Sequence, residues 1–303
     1  MKLPTLFLPP IHRDTLRATL CLSLSGEKMS RREWAEQTHT SLTTAGKIAK
    51  ALLDAELITE QAQKGFQSGR KTGLLRTNRA CRFLVVSVDR SGCRFTVSDG
   101  WGERLEETWL PYQEDLTRQE NMLIWRAEAG RWKEYLEHSC FLVGSALTVS
   151  EKDAADHAMR ESFAAWETDC LILREQGVRD MILGRFGSEA VYFVSLESDL
   201  HPILYVKGRE LAGNPILAKD HPRRPEQLRC MIERWNAMKQ IVPDPRLILW
   251  AKNVSPAEDE ILRQKLLSGG TERILYSHDL EIESALYCLR SNMAESIVCD
   301  KQR

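Results

Sequence analysis

SRREWAEQTHTSLTTAGKIAKALLDAELI, residues 30–58, decides how the first quarter of the chain folds. Ser30 followed by Glu33 is a capping box, in which hydroxyl and carboxylate each satisfy a backbone N–H at a helix start. It predicts a short helix through Trp34 and Ala35 to about His39. Thr40 or Ser41 then caps another helix running to about Ala55. There Ala45, Ile48, Ala49, Leu52 and Leu53 recur at helical spacing and make one apolar face. The opposite face carries Ser41, Thr43, Thr44, Lys47 and Lys50, with no carboxylate among them. Surface helices ordinarily mix both signs of charge. A coat of hydroxyl and ammonium groups alone needs a reason.

The flanking segments supply one. Upstream, Ile11 to Ser25 reads as a first helix with Leu16, Leu20 and Leu24 spaced at four, closed by Gly26. Downstream, LITEQAQKGFQSGRKTGLLRTN, residues 57–78, has two extended arms around a basic tip, the pattern of a β-hairpin or wing. Three helices, a tight turn before the third, and a wing make a winged helix-turn-helix over residues 1–78. The third helix of such a unit lies in the DNA major groove, where Ser, Thr and Lys donate to phosphates and base edges and a carboxylate is repelled. Ser41, Thr43, Thr44 and Lys47 are therefore the expected base-facing residues, and Lys50, Arg70 and Lys71 the phosphate-holding ones. Binding of the basic head to another protein is the alternative for the same face.

Charge divides along the chain in the same sense. Residues 1–80 hold 13 Lys and Arg against 7 Asp and Glu, the remainder 29 against 36, so a total of −1 hides a basic head on an acidic body. The eight cysteines (Cys21, Cys81, Cys93, Cys140, Cys170, Cys230, Cys288 and Cys299) are scattered, which argues against C-x-x-C zinc or redox sites and for thiols in a reducing compartment. Pro4, Pro9 and Pro10 break any signal-peptide core, and no apolar run reaches the ~20 residues of a membrane helix. A cytoplasmic protein with no membrane contact is the expectation.

Beyond Asn78 the chain reads as an α/β domain, residues 79–303. Strand runs at 81–89, 93–99 and 103–112, separated by Ser91-Gly92 and Gly100-Trp101-Gly102, form an antiparallel meander. A helical middle follows over 113–136, then a strand at CFLVGSAL and helices over 151–166 and 178–185. A strand pair over 190–208 is followed by PEQLRCMIERWNAMKQ (helix), RLILWAK (strand) and SPAEDEILRQKLL (helix).

WAEQTHTSLTTAGKIAKALLDAELI, the Gly69-Arg70 before a hydrophobic return strand, the segment 190–214 ending in Gly208-Arg209-Glu210-Leu211-Ala212-Gly213, and LILWAKNVSPAEDEILRQKL together resemble the ROK family of transcriptional repressors and sugar kinases. The resemblance covers most of the chain. It implies an actin/hexokinase-like, two-lobed α/β body behind the winged helix-turn-helix, with nucleotide and sugar in the cleft of the kinases. The departures are informative. Where the kinases have Asp-x-Gly-x-Thr at the ATP phosphates, this chain has Asp89-Arg90-Ser91-Gly92-Cys93, and their Glu-Asn-Asp, which ends in the catalytic base, is replaced by Glu175-Gln176-Gly177. Their Glu-x-Gly-His and cysteine knuckle are replaced by Ala218-Lys219-Asp220-His221 with no clustered cysteine, so no zinc is expected. The implied protein is a DNA-binding transcriptional regulator with a catalytically inactive, sugar-kinase-like body, without cofactor or metal. It is a homodimer on double-stranded DNA, with a sugar or sugar derivative as the effector class that the family suggests. The alternative is a divergent sugar kinase using Asp89, Asp180 or Asp199 as a relocated base.

Overall fold

The computed structural model describes residues 13–24, 27–62, 73–89, 91–139, 141–150, 154, 157–166, 168–196, 201–211, 224–242, 244–251, 254–266, 274–277 and 279–300. The chain divides into two compact units, one of residues 1–177 with 282–303 and the other of residues 178–281.

The first unit begins with α1 (Arg13–Ser23), β1 (Met29–Ser30), α2 (Arg31–Gln37), α3 (Leu42–Asp54), β2 (Ile58–Ala62) and β3 (Gly73–Thr77). The capping box is present: Glu33 N donates to Ser30 Oγ at 3.2 Å and Ser30 N to Glu33 Oε2 at 2.6 Å. Ser41 caps α3 by accepting from Thr44 N at 3.1 Å. Both helices end the same way. Thr40 N donates to Ala35 O and His39 N to Glu36 O after α2, and Leu57 N to Leu52 O and Glu56 N to Leu53 O after α3. These are Schellman ends, and the residue each holds in the left-handed region is His39 (φ 52°) or Glu56 (φ 58°). Neither is the usual glycine. Strands β1, β3 and β2 form an antiparallel sheet in that order, Met29 opposite Leu75 and Ile58 opposite Thr77.

The rest of this unit is a five-stranded sheet. β4 (Cys81–Val88), β5 (Gly92–Asp99) and β6 (Arg104–Pro111) are antiparallel neighbours, as the turn residues predict. After α4 (Arg118–Ser139), β7 (Phe141–Val149) adds parallel to β4, and after α5 (His157–Ala164), β8 (Cys170–Leu173) adds parallel to β7. The order is β6-β5-β4-β7-β8. β4 is buried on both faces, as a central strand between helical layers must be. Its Leu84 and Val86 pack with Met122, Trp125 and Phe163. Its Phe83 and Val85 pack on the other side with Leu16, Leu20, Leu24 and Leu75, and with Ile282 and Leu286 of the final helix. The N-terminal segment and this sheet therefore share one core.

A second joint lies at the β5–β6 turn. Trp101 Nε1 donates to Thr77 O at 2.9 Å, with the Arg76 and Arg79 guanidinium groups 3.8 and 4.7 Å from its ring centre. Buried Arg290 donates from Nη2 to Gly100 O at 3.0 Å, and a Cβ on Gly100 would overlap Asn78 O.

The chain continues with α6 (Arg174–Phe186), β9 (Ala190–Ser195), β10 (His201–Val206), β11 (Arg209–Leu211), α7 (Arg224–Ile241), β12 (Arg246–Trp250), α8 (Pro256–Leu266), β13 (Ile274–Ser277) and α9 (Leu280–Asp300). In the second unit β9, β10 and β11 are an antiparallel meander, and β12 and β13 add in parallel, giving the order β11-β10-β9-β12-β13. Both five-stranded sheets thus put the third, second, first, fourth and fifth of their strands in that spatial order, with the same senses. Two copies of one layout are what a two-lobed α/β body is built from. Tyr192 stacks on Trp235 in the second unit's core, ring centres 6.4 Å apart, alongside Val194, Leu247 and Leu249.

Candidate functional site

Two regions carry the predicted chemistry, the outer face of α3 and the turns where the resemblance puts phosphate and base.

α3 is fixed from behind. Ala45, Ile48, Ala49 and Leu52 are fully buried, so the helix has one rotational setting and presents one face. That face carries Ser41, Leu42, Thr43, Lys47 and Lys50, all exposed, with Thr44 and Gly46 half-buried. The five predicted residues of this helix are thereby brought onto one surface. Their side chains are not equivalent. Ser41 Oγ already accepts from the Thr44 amide and lies 2.9 Å from Thr44 Oγ1, so this pair caps the helix and locks its own geometry. Lys50 Nζ donates to Asp54 Oδ2 at 2.8 Å, an exposed pair one turn apart that yields readily to a stronger anion. Arg70 and Lys71 lie outside the described residues.

At the base of the hairpin, Arg31 at the start of α2 holds Glu60 of β2 with two guanidinium bonds, 2.5 and 2.9 Å. That bond pulls the Glu60 carboxyl below its ordinary range and raises the Arg31 guanidinium. The one acidic side chain of β2 is thus covered by a cation. Leu42, 59% exposed, was absent from the sequence-based set. Its spacing to Ala45 and Ala49 matches the apolar stripe, so its exposure in the first turn had no signal in the sequence.

At the start of the body, Asp89 Oδ1 accepts from Ser91 N at 2.8 Å, Ser91 Oγ at 2.6 Å and Gly92 N at 3.2 Å. Oδ1 of this carboxylate is engaged by its own turn. A Cβ on Gly92 would overlap Leu110 O, so β5 and β6 close tightly over it. Cys93, where the kinases carry a hydroxyl, is fully buried, and burial with Asp89 nearby pushes its thiol far above the usual range. At Glu175-Gln176-Gly177, Gly177 is buried in α6, and a Cβ there would stand 2.6 Å from Ile172 Cγ2. An aspartate does not fit this backbone without displacing Ile172. Asp180 is exposed on the same helix. Asp199, Ala218, Asp220 and His221 lie outside the described residues.

Among the described residues, no group of three or more His, Cys, Asp or Glu side chains is placed to hold a metal ion. Burial raises the Cys81 and Cys170 thiols to about 12, so both are protonated at neutral pH. No helix among the described residues is long and apolar enough to cross a membrane.

No protein-family model matches the chain, and no curated protein matches it. Solved structures do. The fold is similar to that of a ROK family transcriptional regulator, a homologue of the E. coli Mlc protein. The two chains align over 96% of this chain and 99% of that one, at 13% identity and a TM-score of 0.57. The likeness therefore includes the N-terminal segment as well as the body. Looser matches are the inorganic polyphosphate/ATP-glucomannokinase of Arthrobacter sp. strain KM (12% identity, 73% of this chain, 99% of that one, TM-score 0.43) and the ROK hexokinase of Thermus thermophilus (12%, 68%, 98%, 0.39). At those scores nothing further rests on them.

Proposed function

We propose that this chain is a sequence-specific DNA-binding transcriptional regulator of the ROK type. Residues 1–78 are its winged helix-turn-helix head, and residues 79–303 are a body of sugar-kinase fold that does not transfer phosphate. The observation that carries the reading is the outer face of α3, where hydroxyls and ammonium groups stand exposed, with one carboxylate, Asp54, paired to Lys50, on a helix whose other face is locked in the core. A helix held in this way projects the same side chains in every molecule, which base reading requires. The hairpin of β2 and β3 follows it in the position of a wing, and a solved regulator shares the fold end to end. In this reading Ser41, Thr43, Thr44 and Lys47 face base edges, and Lys50, Arg70 and Lys71 hold phosphates.

Two features support a silent body. Oδ1 of Asp89 is engaged by its own turn, and Gly177 occupies a walled position where the kinases carry their base. A general base must reach the sugar hydroxyl, and neither residue is equipped for it. The body serves as the dimerisation platform, since two heads need a common two-fold frame to read half-sites one helical turn apart. A sugar or sugar derivative is the effector class that the fold suggests.

The test is a gel shift of the full chain on pooled genomic fragments with increasing salt, alongside sugar-dependent ADP release. The proposal requires retarded fragments that survive non-specific competitor, and no ADP above the enzyme-free control. ADP release from a panel of hexoses, abolished by Asp180→Ala, would instead establish a kinase.

A further inference from the structure

Among the described residues, no packing accounts for two residues of α3, Leu42 and Gly46. Leu42, in the first turn, is 59% exposed, while Ala45, Ile48, Ala49 and Leu52 are buried. Gly46 follows one turn later on the same face. A glycine inside a helix weakens it relative to alanine, and here the chain offers no compensation. The space where a Cβ would sit has nothing within 4 Å, and Gly46 is not among the residues with positive φ. No turn, bulge or close approach among the described residues asks for glycine.

Around these two sit Thr43, Lys47 and Lys50, which donate hydrogen bonds or carry positive charge. A surface that meets an apolar side chain, a bare stretch of helix backbone and ammonium groups within two turns must be anionic at its rim and carry an apolar group within. The major groove has both: phosphates along its edges, and on its floor the 5-methyl group of thymine. We infer that Leu42 reads thymine by packing on its 5-methyl group, and that Gly46 lets α3 seat deep enough in the groove for that contact. This deepens the DNA-binding reading and rests on it. It adds a specificity-determining residue and the base that it selects.

The test uses the full chain and the duplex that it enriches from a pool of random sequences. Each thymine of that duplex is replaced in turn by deoxyuridine, which keeps the O4 acceptor and lacks only the methyl group. Binding is measured by fluorescence anisotropy at fixed salt. One such replacement per half-site should weaken the wild-type protein about three- to tenfold. Leu42→Ala should lose a similar factor on the thymine duplex and be indifferent to that replacement, so the two changes together cost no more than either alone. Gly46→Ala should melt at a higher temperature than wild type yet bind the selected duplex at least tenfold more weakly. Multiplying effects of Leu42→Ala and deoxyuridine at every position, or a Gly46→Ala protein that binds as well as wild type, would overturn the assignment while leaving DNA binding intact. A folded protein that enriches no duplex would overturn the DNA reading itself, and this inference with it.

Discussion

Gly100→Ala is the most direct probe of how the N-terminal segment is fastened to the first five-stranded sheet. The new methyl group would overlap the Asn78 carbonyl oxygen, so the link between β3 and β4 and the β5–β6 turn must move apart. The Trp101–Thr77 bond and the Arg79 pairs with Asp99 and Glu103 span that gap, and Arg290 of α9 holds the turn from another side. Trp101 Nε1 to Thr77 O contributes about 1 kcal/mol as a neutral hydrogen bond, and buried Arg290 to Gly100 O about 1.5–3 kcal/mol as a charge-assisted one. The Arg76 and Arg79 guanidinium groups over the Trp101 ring add about 0.5–1 kcal/mol each at this half-exposed site. If the turn shifts enough to lose the Trp101 and Arg290 hydrogen bonds, the substitution costs about 2.5–4 kcal/mol, a large part of the ~5–15 kcal/mol of an ordinary domain. Urea unfolding followed by tryptophan fluorescence measures it. Trp101→Phe is the graded companion: it keeps a ring between the two arginines, removes only the N–H, and should cost about 1 kcal/mol. A Gly100→Ala protein that unfolds at the wild-type midpoint would refute the reasoning, because the joint would then be slack enough to admit a methyl group.

His39→Gly and Glu56→Gly should each raise stability by about 0.5–1 kcal/mol, since each residue holds a left-handed conformation that costs L side chains about 1–2 kcal/mol, partly offset by the entropy glycine loses on folding; thermal melts check both. Arg31→Ala should cost at most about 1 kcal/mol at neutral pH, because the pair with Glu60 is partly exposed. The Glu60 carboxyl is held below its ordinary pKa, so this stabilisation is present above that ordinary value and is lost as pH falls through the folded one. The stability difference between the two proteins should therefore vanish in acid. Asp89→Ala should lower stability by about 1–2 kcal/mol through loss of its turn bonds. It should change no catalytic rate, and a phosphotransfer activity lost with it would contradict the silent body.

The head was legible because its signals are local. Ser30 with Glu33 and the apolar stripe from Ala45 to Leu53 each act within one or two turns, and the described helices match them to within about two residues. The Schellman ends were not legible, because their signature is a glycine and His39 and Glu56 stand in its place. The meander over 81–112 was marked by its turn residues. The parallel additions were not: β8 and β13 are four residues each, and their pairing with β7 and β12 depends on contacts across a helix. The final helix, α9, escaped notice because its buried residues include Glu281, Ser284 and Arg290 beside Ile282, Ala285 and Leu286. A helix wrapped by protein on several sides shows no single apolar stripe. In the candidate site, the hydroxyl and ammonium coat was visible in sequence. That Ser41 and Thr44 cap the helix, and that Leu42 stands exposed near an open Gly46, took coordinates to see.

The central claim is that α3 reads DNA, and a salt titration of variants on the enriched duplex and on scrambled DNA tests it most directly. Lys47→Ala should lose about 1–3 kcal/mol on the enriched duplex and little on scrambled DNA. Arg70→Ala should weaken both alike and lower the salt slope by about one unit. Ile48→Ala, at a fully buried position, should unfold the head instead. If Lys47→Ala and Thr44→Ala leave both affinities at the wild-type value in a folded protein, α3 is not the reading helix, and the basic head serves another partner.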